Sequence, residues 1–171
     1  MKTFPIETMD IQKAKNMQFK LVDTIHRHFN GYDFLQGGDY GVVPGLGRPN
    51  QTKKVEEVLA DFFDVERAML VRGAGTGAIR SVMNGVLKPG QRILLHDAPI
   101  YPTTKVIVDS MGLEPVYMDF NNIDAIDSIY EDINFALLQH SRQKIDDSYD
   151  LEYVINKLKS INKNINILVD D

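Results

Sequence analysis

The sequence predicts an α/β fold in three layers, with a mostly parallel sheet between two layers of helices and a helical arm in front of it. Three observations carry that expectation. From residue 66 onward, short apolar runs alternate with helical patterns. The first run leads into a glycine-rich turn, Arg72-Gly73-Ala74-Gly75-Thr76-Gly77-Ala78, which opens onto an amphipathic segment. Ahead of the alternation, residues 1–64 read instead as an arm of helices and one glycine-rich loop, leaving 65–171 for the α/β part.

Taken in order, residues 1–10 form an irregular lead-in. Ile11, Ala14, Gln18, Leu21, Val22 and Ile25 then mark a helix ending near His28-Phe29-Asn30-Gly31. His26 and His28 sit at its edge or end, and two residues at i, i+2 do not face one another, so they make a poor metal site. Residues 30–50 hold six glycines and two prolines and read as a loop without periodicity. A loop of that length is often functional. Thr52 is placed to cap a helix whose inner face is Val55, Val58, Leu59 and Phe62. Glu66–Val71 then reads as a short buried strand. The helix over 76–87 carries Ala78, Ile79, Val82, Met83, Val86 and Leu87 on one face. Further strands are predicted at 92–96, 114–118, 135–139 and 165–169, with helices over 102–111, 123–130 and 151–161. Lys88-Pro89-Gly90-Gln91 and Met111-Gly112 punctuate two helix ends.

Composition bounds the function. A chain of 171 residues, 43% hydrophobic and 25% charged, is an ordinary globular protein. It can bury roughly 70% of its unfolded surface. The net charge of -5 and the lack of a basic stripe argue against nucleic acid. With no cysteine, disulfides and thiolate metal sites are excluded, which suits a cytoplasmic protein, and no metal is expected. The first residues lack a signal-length apolar core, and no run approaches the ~18 apolar residues of a membrane span.

Strand, glycine turn and helix together point free N–H groups and a helix dipole at an anion, usually a phosphate. The turn is not a P-loop, because Gly77 is followed by Ala78-Ile79 rather than Lys and Ser or Thr. A dinucleotide-binding turn would use Gly73, Gly75 and Gly77, with Asp97 as the ribose acid, but its third glycine comes one residue early. Ligands of such sheets lie outside the carboxyl ends of the strands. At those ends this chain has the glycine turn, then His96-Asp97-Ala98-Pro99-Ile100-Tyr101-Pro102, then Gln139-His140-Ser141-Arg142-Gln143-Lys144, and finally Asp170-Asp171. A phosphate cradle, an aromatic platform, a cationic loop and a carboxylate describe a site for a flat, phosphorylated, heteroaromatic cation.

These residues resemble the first half of the large domain of fold-type I pyridoxal-phosphate enzymes, the aspartate aminotransferase superfamily. Ala74-Gly75-Thr76-Gly77-Ala78 is similar to the family's Ser-Gly-Thr-Gly-Ala, Pro99-Ile100-Tyr101-Pro102 to its ring-stacking segment, and Val169-Asp170 to its acid-bearing strand end. The resemblance implies that Ala74, Gly75 and Thr76 hold the phosphate, that Tyr101 stacks on the ring, and that Asp170 pairs with the ring nitrogen. Asp171 then lies outside that contact or exposed. Gln139-His140-Ser141-Arg142 resembles the Gln-x-Ser-Arg of lyase-like relatives near methionine γ-lyase. The aminotransferase Asn-Pro is absent there, which leaves Gln139, His140 or Arg142 for the cofactor O3′ and makes Arg142 a candidate cofactor contact.

The family's Schiff-base lysine follows the ring-pairing Asp in chain order, and the sequence ends at Asp171. Lys144 precedes that Asp, and both it and Lys105 read as surface residues. The family's strand order, 3-2-4-5-6-7-1, implies a first strand cut off from its neighbours. The expectation is therefore a catalytically inactive part of a larger homodimeric enzyme, with Tyr40 and Arg48 as candidates for cross-subunit contacts. The implied activity is pyridoxal-phosphate-dependent transformation of an amino acid or keto acid, by an aminotransferase or else a carbon–sulfur or other lyase. From other classes, a nicotinamide-binding Rossmann protein and a non-catalytic interaction module remain open.

Overall fold

A computed structural model describes residues 9–31, 41–126, 132–140, 144 and 146–171. The chain divides into two compact units, Met1–Leu70 and Val71–Asp171.

In the first unit, α1 spans Ile11–His28. Asp10 starts it by accepting the N–H groups of Gln12 (2.9 Å) and Lys13 (3.0 Å), a cap that the sequence reading left in the irregular lead-in. The 30–50 loop, expected to lack regular structure, carries a small antiparallel pairing of β1 (Val42–Val43) with β2 (Arg48–Pro49). Helix α2 covers Asn50–Phe63 and starts directly after Pro49, so Thr52 lies inside it and does not cap it. Val58 is buried, but Val55 of the expected inner face is exposed. Helix α1 packs on α2, where Asp61 accepts Arg27 and His28 at 3.0 Å each. The contact with Asp61 occupies Nε2 of His28.

The expected strand over 66–71 does not form. Residues 67–71 enter no ladder, and Met69 and Leu70 are exposed. Side chains take the place of a neighbouring strand. Glu56 Oε1 accepts the Leu70 N–H (2.7 Å), Arg48 donates to the Leu70 carbonyl (2.7 Å), and Arg48 and Glu56 pair with each other at 2.5 Å. A strand exists only with a ladder partner, and the apolar run encodes none.

The second unit is built on α3 (Ala74–Val86), β3 (Arg92–His96), α4 (Pro102–Ser110), β4 (Glu114–Met118), β5 (Phe135–Gln139), α5 (Leu151–Ile161) and β6 (Asn166–Asp170). The four strands pair in parallel in the order β4-β3-β5-β6. That is the 3-2-4-5 stretch of the order implied by the resemblance. Alternation divides the core into two layers. Ile93, Leu95, Phe135 and Leu137 meet Ile79 and Met83 of α3 and Ile107 and Val108 of α4. Leu94, Ala136 and Leu138 meet Phe120, Ile123 and, on α5, Val154 and Leu158. Covered on both faces, β3 and β5 read as unbroken apolar runs.

Helix α3 begins two residues earlier than expected, and Val82 and Val86 of its expected inner face are exposed. A 3₁₀ helix at Phe120–Ala125, started by Asp119, stands where a helix over 123–130 was expected. Residues 127–130 of that expectation lie outside the described residues.

Candidate active site at the carboxyl ends of the strands

The turn into α3 winds through two left-handed residues, Gly73 (φ 96°), which precedes the helix, and Ala74 (φ 53°), which opens it. Left-handed backbone next to helical backbone makes a concave nest of N–H groups, and the first turn of any helix leaves its donors unpaired. The glycines of this turn have different physical reasons. A side chain on Gly77 would put its Cβ 2.1 Å from the Arg72 carbonyl oxygen, so the fold itself excludes one. The Gly77 N–H closes the turn onto Gly73 O at 2.8 Å. Gly75 is unconstrained, since a Cβ there meets nothing within 4 Å.

Gly75 lines a cavity of about 340 Å³ shared with Ala74, Thr76, Tyr101, Gln139 and Asp170. Thr103, Ile79 and Asp171 also contribute to its wall. Two helices start at this cavity. Tyr101 stands immediately before α4, half exposed, with Pro102 fixing the first helical position. The hydroxyls of Thr76 on α3 and Thr103 on α4 lie 3.3 Å apart. Thr103 was missed in the sequence; its only signal is a place just behind Tyr-Pro at a helix start.

Asp170 ends β6 opposite Gln139, the last residue of β5. Leu168 packs in the layer under α3, so Asp170, two residues on, points to that same face. Its carboxylate makes no hydrogen bond or ion pair among the described residues. Asp171 differs, because its carboxylate is bonded to His140 Nδ1 and is exposed. Other candidates lie elsewhere. Asp97 is exposed and absent from the cavity lining, which removes the ribose acid of the dinucleotide reading from this site. Lys105 pairs with Asp109 at 2.5 Å, and Lys144 Nζ bonds the Asp97 carbonyl, so neither lysine lines the cavity. Arg48 is engaged by Glu56 and Leu70 within its own unit. Arg142 and Tyr40 lie outside the described residues.

Residues 38–145 match the model of the family "Aminotransferase class I and II". The chain belongs to the class I and II aminotransferase family. This is a family of pyridoxal-phosphate-dependent enzymes of fold type I. The uncharacterized protein YhfS of Escherichia coli (strain K12) is 51% identical over 162 residues, which cover 94% of this aminotransferase-family chain and 45% of YhfS. The crystal structure of the pyridoxal-5'-phosphate dependent protein YhfS from E. coli superimposes with a TM-score of 0.90 at 49% identity, covering 100% of this chain and 47% of that one. A cystathionine beta-lyase-like protein involved in aluminum resistance from Listeria innocua shares the fold, with a TM-score of 0.68, 22% identity, and coverage of 91% and 43%. The chain thus spans about half the length of the relatives it matches. Among the described residues, no helix is long and apolar enough to cross a membrane, and no group of His, Cys, Asp and Glu could hold a metal.

Proposed function

We propose that the chain binds pyridoxal 5'-phosphate in this cavity and forms the cofactor cradle of an enzyme acting on an amino acid, most simply an aminotransferase. The observation that carries the reading is the convergence of Ala74, Gly75, Thr76, Tyr101 and Asp170 on one cavity of about 340 Å³, a size typical of small-molecule sites. The residues suit the group chemically. The nest at Gly73-Ala74 and the first turn of α3 offer N–H donors to a phosphate, and Thr76 adds a hydroxyl. The missing side chain at Gly75 leaves open space where an anion would approach. Tyr101 would hold the ring plane, which sets the bond to be broken at the substrate against that plane. Asp170, whose carboxylate is unpaired among the described residues, would keep a proton on the ring nitrogen. Bound pyridoxal phosphate supplies an electron sink for the electrons released at the substrate Cα.

A second reading, a carbon–sulfur lyase, rests on Gln139-His140-Ser141-Arg142, where Gln139 lines the cavity in place of the aminotransferase Asn-Pro. Covalent attachment of the cofactor needs a lysine, and none lines the cavity among the described residues. We therefore assign this chain cofactor binding without turnover, with catalysis belonging to a longer homodimeric protein in the cytoplasm. Titration with pyridoxal phosphate, followed by difference absorbance, tests the reading, with NAD as the control. Saturable binding of pyridoxal phosphate and none of NAD is the expected result. Preference for NAD, or binding of neither by a folded sample, overturns it, and transamination by the 171-residue chain overturns the assignment of no turnover.

A further inference from the structure

On the face of the sheet turned away from the cavity lies a connected set of polar groups around the buried Asp147 and Tyr149. His96 Nδ1 accepts the Phe120 N–H at 3.1 Å, so the ring proton sits on Nε2 and is donated to Asp147 Oδ1 at 2.9 Å. The imidazole lies between two rings, stacked on Phe120 (centroids 5.2 Å apart) and tilted against Tyr149 (5.0 Å). Asp147, only 4% exposed, also accepts from Asn121 Nδ2 (3.1 Å) and from the Lys144 N–H (3.3 Å). Burial pushes the Asp147 carboxyl up, but the hydrogen bonds from Asn121, His96 and the Lys144 N–H together pull it below its ordinary value.

The network runs on toward the cavity. Asn121 Oδ1 accepts the N–H groups of Ser148 (2.8 Å) and Tyr149 (3.2 Å). The Tyr149 hydroxyl then donates to the Gln139 carbonyl at 3.0 Å. Gln139 and Asp170 form the last ladder pair of β5 and β6, and both line the cavity. Past that pair, the His140 N–H still bonds the Asp170 carbonyl at 2.8 Å. The rim is where the β5–β6 ladder ends. A carboxylate buried to 4% exposure is costly unless its hydrogen-bond partners are held in place, so its use beneath a ligand cavity points to placement of the rim.

We infer that His96, Asp147 and Asn121 are positioning residues, which through Tyr149 fix the carbonyl end of Gln139 and so the rim from which Gln139 and Asp170 face the cofactor ring. The inference rests on the cofactor reading above. It separates the two ends of the ligand: the ring end depends on this network, whereas the phosphate end depends on the turn into α3.

The test uses the full chain and two probes, pyridoxal phosphate and inorganic phosphate. Asp147→Asn keeps the shape and removes the charge, and Tyr149→Phe removes one hydroxyl. Affinity for pyridoxal phosphate is expected to fall about tenfold in Asp147→Asn and by a smaller factor in Tyr149→Phe. Affinity for inorganic phosphate and the far-ultraviolet circular dichroism should stay unchanged. Unaltered pyridoxal-phosphate affinity in folded variants overturns the inference, as does parallel loss of both ligands. If Asp147→Asn does not fold, Tyr149→Phe decides, because phenylalanine fits the same space. A wild-type chain that binds phosphate but not pyridoxal phosphate faults the cofactor reading itself and removes the inference with it.

Discussion

Gly75 and Gly77 stand two residues apart in one turn, and the structure predicts opposite consequences for Gly75→Ala and Gly77→Ala. At Gly75 the new methyl meets nothing within 4 Å, and φ is not in the left-handed region. Alanine is favoured over glycine in a helix by about 0.5–1 kcal/mol, so Gly75→Ala should stabilise the fold by that amount. At Gly77 the methyl would stand 2.1 Å from Arg72 O and 2.9 Å from Arg72 C. Both atoms are backbone and cannot swing aside, so the turn must open and lengthen the 2.8 Å bond from Gly77 N to Gly73 O. Overpacking of that kind costs about 1–3 kcal/mol. Ligand binding should divide the other way. Gly75→Ala adds a methyl to the cavity wall where the phosphate would come closest, and a tenfold loss of affinity corresponds to about 1.4 kcal/mol. Urea denaturation at constant m gives the stabilities, and titrations with pyridoxal phosphate and inorganic phosphate give the affinities. A Gly75→Ala protein that is less stable, or that binds both ligands as well as wild type, refutes the reasoning.

Asp170→Asn should remove most of the pyridoxal-phosphate affinity, and Asp171→Asn less, because among the described residues the Asp170 carboxylate has no partner whereas that of Asp171 is bonded to His140; equal losses in a binding titration would refute the assignment. Ala74→Gly relieves a left-handed conformation worth about 1–2 kcal/mol and adds about 0.5–1 kcal/mol of unfolded-state entropy, so a net gain of about 0.5–1 kcal/mol in urea is expected, and a loss counts against it. Because the folded Asp147 carboxyl titrates below its ordinary 3.8, its stabilising contribution is complete above that value and is lost as pH falls through the folded value. Asp147→Asn should therefore flatten the acid limb of the stability–pH profile, and an unchanged acid limb would remove Asp147 from it.

How far the sequence revealed the fold depended on whether local pattern or distant partners made each element. The strands at 92–96, 114–118 and 135–139 and the helix at 151–161 form over those same residues. Their bounds are set locally, by apolar runs between polar ends and by a start at Asp150, which accepts the Tyr153 N–H at 2.7 Å. Residues 66–71 have just as apolar a run, yet no ladder, because a strand is a property of two segments and composition describes one. The same limit explains the exposed Val82 and Val86. Helical spacing marks a face wider than the stripe that is covered in this chain, where Ile79, Met83 and Leu87 are buried.

The site was more legible than the fold's margins, because one rule placed it: ligands lie at the carboxyl ends of parallel strands. That rule brought four segments to the page, from which the family resemblance picked Ala74, Gly75, Thr76, Tyr101 and Asp170, and these five share one cavity. It could not rank neighbours of the same type. Three glycines in one turn look alike in sequence, although Gly77 answers to the Arg72 carbonyl and Gly75 to open space. Two adjacent aspartates look alike as well, yet alternation along β6 separates them once Leu168 is known to face the α3 layer. Asp170, the last residue in the ladder, then turns to the α3 face, whereas Asp171 lies past the ladder and, although it also lines the cavity, is bonded to His140. The preference for Asp170 over Asp171 therefore rests on a single partly buried leucine two residues away.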